Sequence, residues 1–114
     1  MSKTVDIMGV EYTVEIRNAK DDDILNNHDG YTDYYSKLIV IDDGDGGDIH
    51  DVERYQRKVL RHEITHAFLY ESGLAHNSSL FESAWARNEE MIDWIAIQGE
   101  KIYQAWAKAG ALDD

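Results

Sequence analysis

Two histidines and a glutamate near the middle of the chain have the types and the spacing of a metal site. His62, Glu63 and His66 form the pattern His-Glu-x-x-His within LRHEITHAFLYESGL, residues 60–74. In a helix, the two histidines lie one turn apart and point the same way, so that both imidazoles can bind one zinc ion. The chain contains five histidines, and the pattern can also arise by chance. It therefore remains a hypothesis until other residues support it.

A third metal ligand is expected from WARNEEMIDWIA, residues 85–96. In a helix, one apolar stripe of this segment contains Trp85, Glu89, Ile92 and Ala96. A carboxylate on such a stripe is costly unless it has a partner, and the two imidazoles can share a metal ion with it. Asp93 follows Glu89 by one turn and can accept a hydrogen bond from the second ring nitrogen of a ligand histidine. We therefore predict that His62, His66 and Glu89 bind Zn²⁺, with Asp93 orienting a ligand.

Composition and charge limit the classes of function that fit the chain. A length of 114 residues fits one domain spanning residues 1–114. The absence of cysteine excludes zinc sites built from thiolates. A formal net charge of −12 opposes binding to nucleic acid and to anionic membranes. We find neither a signal peptide nor a long apolar run, and we expect a cytoplasmic protein.

The hydrophobic pattern predicts strands followed by helices, an α+β fold. Apolar residues alternate with polar ones from Val5 to Ile16 around Gly9, which indicates a hairpin, and residues 31–42 predict a second hairpin with a strand at 38–41. Residues 18–30 are polar and predict a surface loop. The first helix is expected to run from a cap at Asp48 to Ser72, and the second from a capping box at Ser79 to about Lys108.

The first helix has two apolar faces and should lie between two layers. One face, expected against the sheet, consists of Leu60, Ile64, Ala67 and Phe68. The other, expected against the second helix, consists of Tyr55, Val59, His62, His66 and Leu69, with Glu63 at its edge. Trp94 and Trp106 are assigned to the core, and His28 and His50 to the surface.

The motif HEITH followed by NEEMID, residues 88–93, resembles the paired motifs of the gluzincin metallopeptidases, the thermolysin-like group. The small size and the order of elements are closer to ImmA/IrrE-like peptidases and to short zinc-peptidase-like proteins of phages and prophages. The resemblance spans about residues 48–106. It implies a minimal zincin-like domain, with a small antiparallel or mixed N-terminal sheet packed on an active-site helix and a second C-terminal helix. If the chain is phage-encoded, it implies the host cytoplasm.

The resemblance also implies roles for the site residues. His62, His66 and Glu89 would hold zinc, Asp93 would support a ligand histidine, and Glu63 would be the catalytic base. The partner would be a peptide or protein substrate, for which the strand at 38–41 could offer backbone groups. Candidates for stabilising the oxyanion are Tyr70, His76 and Tyr103. Two alternatives stay open: a zinc-binding regulatory or interaction domain without catalysis, and a metal-free domain. The oligomeric state is not predicted.

Overall fold

The N-terminal hairpin forms as predicted. The computed structural model describes residues 2–45, 49–77 and 88–113, with the side chains of all of these except 76 and 77. Strands β1 (Ser2–Ile7) and β2 (Val10–Arg17) pair antiparallel. Met8 and Gly9 connect them with φ values of 53° and 87°. Two consecutive positive φ values are those of a type I′ turn, whose backbone twist matches the right-handed twist of the two strands it connects.

The second hairpin completes a four-stranded mixed sheet. Strands β3 (Gly30–Asp33) and β4 (Leu38–Asp42) pair antiparallel, and β4 also pairs with β2 in parallel. The strand order is β1-β2-β4-β3, which leaves β3 at an edge. The suggestion that residues 38–41 offer backbone groups to a substrate is wrong, because both edges of β4 are already paired within the sheet.

The connection between β2 and β3 contains a short 3-10 helix, Asp23–Asn26, with Leu25 buried. Asp22 caps this helix and also accepts hydrogen bonds from the Arg17 guanidinium and the Tyr31 hydroxyl. Because Arg17 lies at the end of β2 and Tyr31 lies in β3, these bonds tie the connection to both strands.

In the described part of the chain, three helices follow the sheet: α1 (Val52–Glu71), the single turn α2 (Leu74–Asn77) and α3 (Glu89–Lys108). The Asp51 side chain caps α1 by accepting from the backbone N–H of Arg54. The predicted start of this helix at a cap on Asp48 is therefore wrong, because the helix begins only after Asp51. The end of α1 agrees with the prediction, since Gly73 has φ 87° just beyond Ser72. The predicted capping box at Ser79 lies outside the described residues.

The face of α1 that meets the sheet overlaps the predicted one but is not identical to it. Leu60, Ile64 and Ala67 pack against the core as predicted. Val59, Glu63 and Ala67 are the buried residues of α1, spaced four apart along one line of the helix. Val59 was expected on the opposite face, whereas Phe68, expected against the sheet, is 43% exposed. The core cluster contains Ile7, Tyr12, Val14, Ile39, Ile41, Val59 and Ala67.

Helix α3 packs on α1 through Ile92 and Ala96, both buried. Trp94 and Trp106 are each more than half exposed, so their assignment to the core is wrong. Trp94 follows Ile92 by two residues and therefore lies on the opposite side of α3 from Ile92 and Ala96, whereas Trp106 lies near the C-terminal end of this helix. An apolar side chain is buried only where a neighbouring element covers it. Among the described residues, the structure has the predicted α+β architecture. None of the described helices is long and apolar enough to cross a membrane.

Candidate metal centre and active site

The three predicted zinc ligands lie together. Oε1 of Glu89 is 3.0 Å from Nε2 of His62 and 3.1 Å from Nε2 of His66. One ligand atom from each residue lies within 4.8 Å of the other two, and no other cluster of this kind occurs among the described residues. Both imidazoles are largely buried, with 18% and 15% of their side chains exposed. The prediction that Glu89 joins the two histidines therefore agrees with the geometry.

Helix geometry accounts for the positions of these side chains. The two histidines are one turn apart on α1, with ring centroids 5.0 Å apart. Glu89 is the first residue of α3, and Asn88 fixes this end by accepting from the backbone N–H of Met91. The Glu89 side chain is 68% exposed. The prediction that this carboxylate is buried on an apolar stripe, and therefore needs a partner, is wrong in this respect. The positive end of the helix dipole offers a carboxylate here a further favourable interaction.

Asp93 contacts the other nitrogen of His62, as predicted. Its Oδ1 lies 3.2 Å from Nδ1 of His62 and 2.7 Å from Nζ of Lys58. The ion pair with Lys58, and then the hydrogen bond from His62, lower the pKa of Asp93. Asp93 is thus an ionised carboxylate at neutral pH and can only accept hydrogen bonds. Nδ1 of His62 must therefore carry a proton.

The contact with Asp93 determines what can lie between His62 and Glu89. In a neutral imidazole with the proton on Nδ1, Nε2 carries a lone pair. That lone pair faces a carboxylate oxygen 3.0 Å away, and two acceptors at this distance repel each other unless a proton or a cation lies between them. Two imidazoles and one carboxylate are a donor set found in catalytic zinc sites. The residues present therefore fit Zn²⁺.

Glu63 lies beside the ligand set and does not belong to it. It is a buried charged residue, with 6% of its surface exposed, and its Oε1 accepts a 2.8 Å hydrogen bond from the Thr32 hydroxyl. Burial raises the pKa of Glu63 above its ordinary value, while the Thr32 hydrogen bond and the nearby His66 and His62 oppose this shift. A carboxyl group with a raised pKa is suited to exchanging protons near neutral pH.

A pocket of about 430 Å³ joins these groups. Its described lining contains Lys58, His62, Glu63, His66, Glu89 and Asp93 from the helices, together with residues 28–32 and Tyr34 from β3 and its flanking turns. The edge strand β3 therefore forms one wall of the pocket. The wall could not be assigned from the sequence, because the position of β3 at the sheet edge depends on long-range strand pairing.

Sequence reasoning assigned none of the side chains of this wall to the site, among them Thr32, His28 and Tyr34. His28 is exposed, as expected, yet it lines the pocket, and so does Tyr34, which stacks on Tyr70 with ring centroids 4.3 Å apart. The described lining includes neither Tyr70 nor Tyr103, two of the predicted oxyanion candidates. The third candidate, His76, has a side chain outside the described set. No local pattern around His28 or Tyr34 signals their position.

Comparison of the chain with protein-family models, with curated proteins and with solved structures finds no match.

Proposed function

We propose that the chain is a zinc-dependent peptidase that cleaves a peptide bond in a protein or peptide of the cytoplasm. The observation that supports this proposal best is the arrangement of two kinds of group in one pocket. Three ligand atoms lie close enough to share a metal ion, and a buried carboxylate outside the ligand set lies next to them. This combination matches the division of roles that the gluzincin resemblance implies, and membership of that group is part of the proposal.

Each residue of the pocket has a role in the proposed reaction. His62, His66 and Glu89 would hold Zn²⁺, which when bound supplies Lewis-acid activation of water and of the scissile carbonyl. Glu63 takes a proton from the attacking water and delivers it to the leaving amine. Asp93 keeps the proton of His62 on Nδ1, so that Nε2 remains available as a ligand.

The edge strand β3 supports a peptide as the substrate class. An extended peptide can add to an exposed sheet edge through main-chain hydrogen bonds, with alternate side chains giving specificity. Strand β3 is an edge strand and contributes Gly30, Tyr31 and Thr32 to the pocket wall. We therefore propose that the substrate binds along β3, which replaces the earlier expectation for β4.

A zinc-binding regulatory domain without catalysis is the alternative. Such a domain needs the three ligands but has no use for Glu63, and burying a carboxylate costs free energy. The burial of Glu63 next to the ligand set therefore favours the peptidase.

The first test is the zinc content of the purified protein and of paired variants. We expect about one zinc ion per chain, as a single catalytic site requires, and loss of this zinc in His62→Ala and Glu89→Gln. Glu63→Gln should keep the zinc. The controls His50→Ala, at an exposed histidine, and Glu90→Gln, at the exposed glutamate next to Glu89, should keep it as well. Absence of zinc after incubation with the metal would refute the proposal.

Catalysis is tested with the zinc-loaded protein and a degenerate library of fluorogenic peptides. We expect the wild type to release fluorescence and Glu63→Gln to be slower by roughly 10²–10⁴-fold, the range typical for loss of a general base. Equal zinc content with no cleavage by either protein would favour the regulatory alternative. Equal cleavage by both proteins would exclude Glu63 as the base.

A further inference from the structure

The Thr32 hydroxyl contacts the buried carboxylate of Glu63 directly. Oγ1 of Thr32 lies 2.8 Å from Oε1 of Glu63 and 3.3 Å from the backbone carbonyl oxygen of the same residue. The Glu63 side chain makes no other hydrogen bond to the described residues. One carboxylate oxygen is thereby held by β3, and Oε2 is left available to a water molecule in the pocket.

We propose that Thr32 is a positioning residue, whose hydroxyl holds the Glu63 carboxylate in the orientation needed for proton transfer. This inference rests on the proposed function of Glu63 as the base. A glutamate side chain has three rotatable bonds, and a catalytic group must be held close to its productive geometry to act efficiently. The hydrogen bond from Thr32 restricts these rotations without occupying the second oxygen.

The position of Thr32 follows from the alternation of side chains along β3. Gly30 and Thr32 lie opposite Ile41 and Ile39 of β4, two residues of the core that packs beneath α1. Both residues therefore lie on the face of the sheet that meets the helix. Gly30 and Thr32 thus face α1 together: the glycine permits a close approach of the helix, and the threonine contacts the buried carboxylate of Glu63.

The close approach at Gly30 is visible in what a side chain would meet there. A Cβ atom at Gly30 would lie 2.8 Å from the carbonyl oxygen of Val40, 2.9 Å from Cγ1 of Val59 and 3.4 Å from Cγ of Glu63. Strand β3 and α1 are therefore in van der Waals contact at Gly30, two residues before Thr32. Because the strand backbone is held in the sheet, the hydroxyl has a fixed position from which to donate to Glu63.

The test compares Thr32→Val, which removes the hydroxyl with little change of shape, with Thr32→Ser, which keeps it. Thr4→Val, at an exposed position of β1, is the control for the same substitution in a strand. With the library peptide that the wild type cleaves best, we expect Thr32→Val to lower kcat by about 10- to 100-fold, as displacement of a catalytic group does. KM and zinc content should not change, and Thr32→Ser should recover most of kcat.

A second measurement does not depend on zinc or on activity. In the metal-free protein, loss of the hydroxyl should lower the folding equilibrium constant about tenfold, because hydrogen bonds to charged groups are among the stronger ones. The same substitution in a Glu63→Met background should have a much smaller effect, because the carboxylate acceptor is gone and only the longer contact with the backbone carbonyl oxygen of residue 63 remains. This difference between the two backgrounds is the coupling that the proposed contact requires.

The outcomes separate this inference from the proposed function. If the wild type cleaves peptides and Thr32→Val cleaves them equally fast, the positioning role is refuted while the peptidase proposal stands. Equal stability losses in both backgrounds would refute the contact itself. If the zinc-loaded wild type cleaves nothing, both proposals fail together. A kcat loss that Thr32→Ser does not recover would assign the effect to packing and overturn the role of the hydroxyl.

Discussion

Substitution of Gly30 by alanine should destabilise the protein through steric overlap alone. Gly30 is not one of the glycines with a positive φ, so an alanine can adopt its backbone conformation without strain. The added methyl group would nevertheless lie 2.8 Å from the Val40 carbonyl oxygen and 2.9 Å from Cγ1 of Val59. Real Cβ atoms do not approach other atoms this closely, and something must move.

The two contacts differ in how they can respond. The Val59 side chain can change its rotamer or shift with α1, but the Val40 carbonyl belongs to the backbone of β4, which is paired on both sides. Overpacking of this kind costs typically about 1–3 kcal/mol. We therefore expect Gly30→Ala to lower the free energy of unfolding of the metal-free protein by about 1–3 kcal/mol, which urea denaturation reports as a lower midpoint with an unchanged slope.

Gly99→Ala is the matched control, because it makes the same chemical change where there is room. The nearest atom to a Cβ at Gly99 is Cγ2 of Ile95, at 3.9 Å. Gly99 lies inside α3, where alanine is favoured over glycine by roughly 0.5–1 kcal/mol. The two substitutions should therefore change stability in opposite directions. A Gly30→Ala protein as stable as the wild type would show that α1 does not pack against β3 as closely as the structure has it.

Three further predictions concern the caps and charges around the site. Asn88→Ala should cost about 1 kcal/mol in a denaturation experiment, since it removes the cap of α3, and it should weaken zinc binding through Glu89; unchanged zinc affinity would argue against this end of the helix as a rigid support. Asp93→Asn should lower zinc affinity by roughly 10- to 100-fold in a competition titration with a chelator, and equal affinities would contradict its role in orienting His62. The hydrogen bond from Tyr31, and then that from Arg17, lower the pKa of Asp22 in the folded protein. Its contribution to stability is therefore complete above the unfolded pKa of about 4 and is lost as pH falls through the lower folded value. Between neutral and acid pH, the free energy of unfolding measured by denaturation should fall less for Asp22→Asn than for the wild type.

Local patterns predict the elements of this fold well, while long-range pairing decides their arrangement. Both hairpins follow from alternation and turn residues, and the end of α1 at Gly73 follows from the glycine itself. The parallel pairing of β2 with β4 and the edge position of β3 are set by contacts distant in sequence, which no local period encodes. The expectation that a substrate adds to residues 38–41 failed for this reason.

The candidate site shows the same division. The spacing of His62 and His66 on one helix is a local property, and the structure places Glu89 and Asp93 beside them as predicted. The face of α1 that meets the sheet was predicted only in part: Leu60, Ile64 and Ala67 pack against the core, but Val59 joins them and Phe68 does not. Apolar side chains occupy most of the circumference of this helix, so periodicity alone does not define the buried line. The contact of α1 with Gly30 selects the line through Val59, and this contact requires knowledge of the fold.

The burial of Glu63 is easier to explain by function than by stability. Val59 and Ala67, one turn before and one turn after it on the same stripe, pack in the apolar core, and Glu63 lies between them with 6% of its surface exposed. An apolar side chain of similar size would fill this position without the cost of removing a carboxylate from water. Thr32 offsets part of that cost through one hydrogen bond, and the raised pKa of Glu63 reflects the remainder. Glu63→Met combined with Thr32→Val replaces both polar groups by apolar ones. The proposed role as a base therefore predicts that this double variant is at least as stable as the wild type while losing peptidase activity. If it is instead strongly destabilised in urea denaturation, Glu63 is needed for folding, and its burial no longer supports a catalytic role.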